Sequence, residues 1–396
     1  MGCLFYQNIE LMKNFEFYNP VKILFGEGQI DKIPQEIVPY STVLLTYGGG
    51  SIKRNGVYDK VISALKDKRV IEFGGIEPNP RYETLIKAVK LAREHHVDFV
   101  LAVGGGSVID GTKFIVASIL FEGEPWDIVS KGIKVVKAIP FGAVLTLPAT
   151  GSEMNAGAVI SREATKEKYA FGSPAVYPKF SVLDPTTTFS LPQHQVANGI
   201  VDAFAHVLEQ YLTYPSDSPI QDRFAEGILQ TLIEVGPKTL ENPTDYDLRA
   251  NFMWSCTMAL NGLISTGVPT DWATHMIGHE LTAFFGLDHG VTLAIIYPAL
   301  LNELIEFKHD KLIQFGQRVL NLSGNDLRAE RVIYETEKFF RSLGVKTRLP
   351  EHGISFTDTK PVIDRFTARG WKLGENKNIT PDIVEKILKR ASEPFR

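Results

Sequence analysis

Asp202 and His206 stand four residues apart in the segment Gly199–His206, a spacing that puts both side chains on one face of a helix. His275 and His279 repeat it, and His289 follows Gly286, a residue suited to stopping the intervening helix. One carboxylate with two or three imidazoles is a donor set for Fe(II), Zn(II) or a similar divalent ion that keeps a position open for water or substrate. Each of these residues alone would read as a hydrogen-bonded core group. Their concentration in three short segments favours a metal.

Glycine-rich turns supply a second kind of chemistry. Leu101-Ala102-Val103 runs into Gly104, Gly105, Gly106 and Ser107, then into a helical pattern that includes Asp110. Backbone N–H groups can approach a pyrophosphate across such glycines, with the helix dipole favouring the anion. A tight strand-to-helix turn without ligand fits this segment equally well, and it is not the spaced G-x-G-x-x-G fingerprint. Gly48, Gly49, Gly50 and Ser51 also follow an apolar strand and lead into Lys53 and Arg54. A loop with donors and no carboxylate suits the 2′-phosphate of NADP better than the bare ribose of NAD, although a solvated surface turn has the same composition. Thr146 and Thr150, in Thr146–Glu153, end a further strand in a hydroxyl cluster; such groups face the ligand crevice or cap the next turn.

Two types of element must position these groups. Strands are expected at Lys22 to Phe25, Thr42 to Thr46, Val70 to Phe73, Phe99 to Val103, Ala138 to Leu147 and Phe180 to Leu183, several of them apolar without alternation, as in sheets buried on both faces. Helical segments lie between them, for example Tyr82 to His95 with Leu85, Ile86, Val89, Lys90 and Ala92 on its inner stripe. This is the rhythm of an α/β, doubly wound, Rossmann-like sheet. From about Leu191 the chain reads as helices separated by Pro and Gly, so the expected organisation is an α/β dinucleotide-binding domain over 1–190 and an all-α metal-binding domain over 191–396. The segment from Lys372 to Lys389 reads as a solvated helical face.

A chain of 396 residues exceeds the size at which one core stops growing, and a cleft between two domains is a natural site. The net charge of -4 with scattered Lys and Arg argues against a nucleic-acid surface. Two cysteines, Cys3 and Cys256, provide no disulfide framework, which fits a reducing cytoplasmic setting. No apolar run has the length of a membrane span and the start lacks signal-peptide order. Met1-Gly2-Cys3 has the look of an acylation start, but Tyr6 occupies the position where that motif has Ser or Thr.

Glycine turn, hydroxyl cluster and Asp/His constellation in this order resemble the iron-containing (group III) alcohol dehydrogenase family, over nearly the whole length. One family pattern is followed by Val182-Leu183-Asp184, Pro192, Ala197, Gly199, Asp202 and Glu209. A second is followed by Trp272, Thr274-His275, Gly278-His279, Leu281-Thr282-Ala283, Leu287 and His289-Gly290. Tyr47 to Ser51 and Trp272 to Leu293 resemble most the bacterial butanol dehydrogenases and broad-range aldehyde reductases, a branch that prefers NADPH; its NAD-using relatives carry aspartate where Gly49 stands. The leading Met1 to Leu11 extends beyond the family's usual start at Met12.

The resemblance implies the dehydroquinate synthase-like fold of that family and NADP(H) with one divalent metal, Fe(II) before Zn(II). It implies Asp202, His206, His275 and His289 as metal ligands, with His279 as a proton-handling group instead. It places Gly104, Gly105, Gly106 and Ser107 at the pyrophosphate, Thr146 and Thr150 along the cofactor, Asp110 near its nicotinamide side and Lys168 against it. A homodimer is expected because relatives form one. The implied reaction is hydride transfer between NADP(H) and a small primary alcohol or aldehyde. One alternative is a metal-dependent lyase or synthase of the dehydroquinate synthase type, using NAD transiently; it needs a cationic pocket, whereas Trp272, Phe284 and Phe285 suggest an apolar one. A non-catalytic nucleotide-binding module is another, and failure to bind a divalent metal would favour it.

Overall fold

The computed structural model describes residues 10–395; Cys3, Tyr6 and the Met1-Gly2-Cys3 start lie outside the described residues. Six parallel strands form one sheet, in the spatial order Lys22–Phe25, Phe180–Leu183, Phe141–Leu147, Phe99–Gly105, Thr42–Tyr47 and Arg69–Phe73. Successive residues of each strand feed opposite layers: Leu44, Val100 and Ala102 join one buried cluster, while Val43, Leu45, Leu101 and Val103 join the other. That two-sided burial explains why these runs are apolar without alternation.

All six strands run the same way, so their carboxyl ends share one edge of the sheet, where α/β folds form ligand crevices. Gly48–Ser51, Gly104–Ser107 and Thr146–Thr150 all lie at that edge. Register shifts between Gly104 and Gly105 against Leu145 and Leu147, bending the strand just before the Gly106–Ile119 helix begins.

Three local expectations need correction. The fifth strand starts at Phe141 rather than Ala138, because Pro140 has no N–H for a ladder. On the Tyr82–Glu94 helix Lys90 is exposed and Ala88 takes its place on the buried stripe. Gly157–Arg162 and Glu167–Gly172 form an antiparallel hairpin that no expected strand anticipates; short strands of mixed polarity carry a weak pattern.

Past Leu183 the chain passes through a short 3-10 turn and then a succession of helices from Gln193 onward, the two-residue strand Ser216–Asp217 pairing with Glu10–Leu11. The Gln193–Tyr211 helix is buried from Gly199 to its end and runs through the largest apolar cluster. Against it pack the Pro219–Glu241 and Tyr246–Ala259 helices and the His289–Glu303 helix, the last also flanked by Ala273–Phe285. Of the Lys372–Lys389 segment only the part from Pro381 is helical, Leu373 and Ile379 pairing in a short bridge before it; Pro381–Ala391 buries Val384, Ile387, Leu388 and Ala391 and leaves Lys386 and Lys389 exposed, so only one face of it is solvated. Among the described residues no single helix is long and apolar enough to cross a membrane.

Candidate metal centre and cofactor cleft

The glycine edge of the sheet faces the helical half across a cleft of about 750 Å³. Gly48, Gly49, Gly50, Ser51, Gly104, Gly105, Gly106, Ser107, Asp110, Thr146, Thr150 and Lys168 line it from one side. Asp202, His206, His275, His279 and His289 line it from the other. Tertiary folding thus brings every sequence-predicted site residue to one cavity.

The helices dictate the metal end. Asp202 and His206 project from one stripe of the Gln193–Tyr211 helix; His275 and His279 do the same on Ala273–Phe285, which ends at Gly286 with φ of 70°. His289 opens the next helix, turned back towards the first. Gly290 makes that return possible: a Cβ there would lie 2.5 Å from the Asn198 carbonyl oxygen. Asp202 Oδ1 lies 3.4 Å from His206 Nδ1, 3.8 Å from His275 Nε2 and 3.6 Å from His289 Nε2. Ligands at about 2.1 Å in a tetrahedron stand roughly 3.4 Å apart. Donor atoms of Asp202, His275 and His289 all lie within 4.8 Å of one another, and the His206 ring stacks on that of His275 with centroids 4.5 Å apart.

The residues fit a divalent cation on a second observation. Asp202 Oδ1, His206 Nδ1 and His275 Nε2 are buried and make no hydrogen bond among the described residues, a costly state that a bound cation would relieve. Burial pushes His206 down to about 4, against the pull of Asp202, and drives His289 well below the usual histidine range with Lys168 adding to the effect. These imidazoles are neutral, the form that ligates metal. Burial also lowers His275, but Glu209 and Asp202 outweigh it and raise it to about 9. His279 is not one of the Asp202–His275–His289 donor cluster, and its ring lies 5.5 Å from that of His289 and 6.4 Å from that of His275. Burial first, then Lys168 and the other imidazoles, hold it well below its ordinary value, so it presents one donor and one bare acceptor to the cleft.

At the cofactor end, Gly106 and Ser107 start a helix of 14 residues. A side chain at Gly106 would collide with Thr150, its Cβ 2.4 Å from Oγ1; glycine is what lets the hydroxyl cluster close on the turn. Ser107 Oγ accepts from Asn79 N–H at 3.2 Å, and Lys168 Nζ donates to Asn79 Oδ1 at 2.8 Å. Asp110 accepts from Ser152 Oγ at 2.5 Å and from Val159 N–H at 2.9 Å. Burial raises Asp110, and it lowers Lys168 to about 8 against the pull of Asp110 and Asp202. Thr150 Oγ1 also accepts from Ser152 N–H at 3.2 Å, so it caps the next turn and lines the cleft at once.

Two expectations are revised at this site. Gly48–Ser51 itself carries no carboxylate, but the cations that follow it are turned elsewhere: Lys53 Nζ pairs with Glu72 at 3.1 Å, and Lys53, Arg54 and Glu72 are not among the described residues that line the cleft. Of the aromatic residues expected in the pocket only Trp272 lines it, since Phe284 lies under the Arg365 guanidinium. Phe171, Tyr177, Leu260 and Met276 supply the remaining apolar lining. Lys168 is the sole Lys or Arg among the described lining residues, a poor match to the cationic pocket that the lyase alternative needs.

Sequence reasoning missed Asn79, Lys113 and the local role of Glu209. Lys113 is fully buried, bonded to Ser152, Asn155 and the Gly157 carbonyl, and lowered by that burial to about 8; it ties the floor of the cleft to the hairpin. Glu209 continues the Asp202/His206 stripe by three residues, which was its available signal. Trp272 holds a left-handed φ of 65°, a strain of about 1–2 kcal/mol for a bulky residue. It lets the ring stand edge-on to His275 at 5.5 Å.

Comparison with known proteins follows the same outline. The family model for iron-containing alcohol dehydrogenases matches residues 20–185, and the C-terminal model for Fe-containing alcohol dehydrogenases matches residues 196–392. The chain is 55% identical over 386 residues to the NADPH-dependent aldehyde reductase YqhD of Escherichia coli (strain K12), covering 96% of this chain and 100% of that one. It is 43% identical over 387 residues to the probable NADH-dependent butanol dehydrogenase 1 of Bacillus subtilis (strain 168), with coverage of 96% and 100%. The crystal structure of E. coli YqhD superposes with a TM-score of 0.94, at 54% identity over 96% of this chain and 100% of that one. NADH-dependent butanol dehydrogenase A from Thermotoga maritima gives a TM-score of 0.92, at 38% identity over 97% and 100%.

Proposed function

This chain belongs to the iron-containing alcohol dehydrogenase family, and from that premise we propose that it is a metal-dependent, NADP(H)-linked oxidoreductase interconverting small primary alcohols and aldehydes. The observation that carries the reading is the convergence of Asp202, His275 and His289 donor atoms in the same cleft as the Gly104–Ser107 turn. When bound, the divalent cation supplies Lewis acidity towards a substrate oxygen and the nicotinamide carries the hydride.

The protein's own groups do the rest. Gly104, Gly105, Gly106 and Ser107 present backbone N–H groups and a helix N-terminus to the pyrophosphate, with Gly48 to Ser51 towards the adenosine end. Lys168, anchored by Asn79, adds positive charge where no other Lys or Arg is among the described lining residues. Thr146, Thr150 and Asp110 line the cofactor's path, and Asp110 is itself held by Ser152 and the hairpin backbone. Asp202, His206, His275 and His289 would hold the cation, His275 giving up its Nε2 proton to do so. Trp272, Leu260 and Met276 shield the reacting end from water, which strengthens electrostatic interactions there. His279 passes a proton between substrate oxygen and solvent through its neutral ring.

The sequence composition supports a cytoplasmic enzyme, and the exposed Phe15, Phe17 and Tyr18 support self-association into a homodimer. Anaerobic purification with metal analysis, followed by initial rates at 340 nm with butyraldehyde and NADPH or NADH, tests the reading. Metal-dependent turnover favouring NADPH is the expected result. Bound metal and cofactor without turnover on any aldehyde or alcohol would overturn it.

A further inference from the structure

Glu209 lies on the same stripe as Asp202 and His206, is 1% exposed, and reaches across to the start of the Ala273–Phe285 helix. Trp272, the residue before that helix, makes no side-chain cap. The Glu209 carboxylate caps the helix in its place. Its Oε1 accepts from Thr274 N–H at 2.6 Å and from His275 N–H at 3.4 Å, while Oε2 faces the ring nitrogen Nδ1 of His275. An anion at a helix N-terminus is favourable in its own right. Surrounding bonds fix its position, with Asp271 N–H donating to the Glu209 carbonyl at 2.9 Å and Asp271 Oδ1 accepting from Ala273 N–H at 2.9 Å. Lys308 Nζ, buried, holds Asp271 from behind at 2.7 Å. Among the described residues no other imidazole lining the cleft has a carboxylate on the nitrogen remote from Asp202.

We propose that Glu209 is a positioning residue that sets the tautomer of His275 for metal binding. The inference rests on the metal centre proposed above. An ionised carboxylate can only accept a hydrogen bond, so the proton that the ring keeps when a metal binds sits on Nδ1, and Nε2 is the nitrogen set free. Nε2 is the atom that faces Asp202 Oδ1 at 3.8 Å without a hydrogen-bond partner, and only an unprotonated nitrogen ligates a metal. One side chain therefore caps the helix and chooses which ring nitrogen is free.

Glu209→Gln separates these two roles. Its amide oxygen can keep the bond from Thr274 N–H, but its NH₂ then faces Nδ1 and can only donate, which moves the ring proton to Nε2. Flipping the amide would instead set N–H against N–H at Thr274. The cap survives in the first arrangement, so the variant should fold as the parent does and yet bind metal poorly.

The test is titration of metal-free parent, E209Q and E209D with Zn(II) against a chromophoric chelator, with thermal unfolding of each metal-free protein and ¹⁵N NMR of the histidine rings. E209Q is expected to bind Zn(II) about 10- to 100-fold more weakly, with an unfolding temperature close to the parent's and a His275 signal shifted to the Nε2–H tautomer. E209D, which keeps acceptor-only chemistry, should bind more tightly than E209Q. Parent-like Zn(II) affinity in E209Q, or E209D binding more weakly than E209Q, would overturn the proposal while leaving the metal centre intact. Loss of parent-like stability in E209Q leaves the E209D ordering to decide. A parent that binds no Zn(II) would remove the metal centre itself, and this inference with it.

Discussion

Replacing Gly290 with alanine tests whether the return of the chain at His289 builds the metal centre. The added Cβ would lie 2.5 Å from the Asn198 carbonyl oxygen and 2.9 and 3.0 Å from Cα and C of the same residue. All three are backbone atoms of the helix that carries Asp202, so no side chain can rotate away. Ordinary contact begins near 3.4 Å, and the two helices must separate by about 0.9 Å to reach it. Metal–ligand distances tolerate only about 0.2 Å, and His289 is the adjacent residue. We expect Gly290→Ala to weaken Zn(II) binding by at least about tenfold, or ~1.4 kcal/mol, and to lower the stability of the metal-free protein by about 1–3 kcal/mol from overpacking. Gly227→Ala is the control: it lies on the Pro219–Glu241 helix with nothing within 4 Å of a new Cβ, and should leave Zn(II) affinity unchanged. Chelator-competition titration and denaturant unfolding of both variants supply the numbers. Gly290→Ala with Zn(II) affinity within about threefold of the parent would show that the close approach of these helices does not set the ligand geometry.

Three further outcomes are expected. His279→Ala should lower turnover by about 10²–10⁴-fold while metal content, measured by elemental analysis, stays near that of the parent; full metal loss would make His279 a ligand instead of a proton carrier. Gly49→Asp should fold normally, because nothing lies within 4 Å of a new Cβ there, but should raise KM for NADPH more than KM for NADH through repulsion of the 2′-phosphate; equal effects on both would remove Gly49 from the cofactor reading. Burial brings Lys168 down to about 8, so it is charged below that pH and neutral above it. KM for NADPH should therefore rise as pH increases through about 8, and Lys168→Met should show a flat, weaker profile; a flat profile in the parent would place the lysine away from the anion.

The chemistry-bearing residues and the types of element that carry them are legible in the sequence for a physical reason. Asp202/His206 and His275/His279 obey helical spacing, a local geometry set by 3.6 residues per turn, and the strands leading to Gly48 and Gly104 are apolar on both sides because both faces are covered. The resemblance to a known family added the separation of His279 from the other four groups. Local pattern does not say which distant groups become neighbours. That Lys53 pairs with Glu72 instead of facing the cleft, that Phe284 turns away under Arg365, and that Glu209 meets His275 across two helices all depend on packing between segments distant in the chain. The Gly157–Gly172 hairpin was illegible for a similar reason: its short strands acquire a buried side, and Lys168 its lowered pKa, only when the sheet and the helical half close over them. Residue type and local period determine what each segment can offer; burial, charge state and the choice of ring nitrogen arise from the surroundings that only the tertiary structure provides.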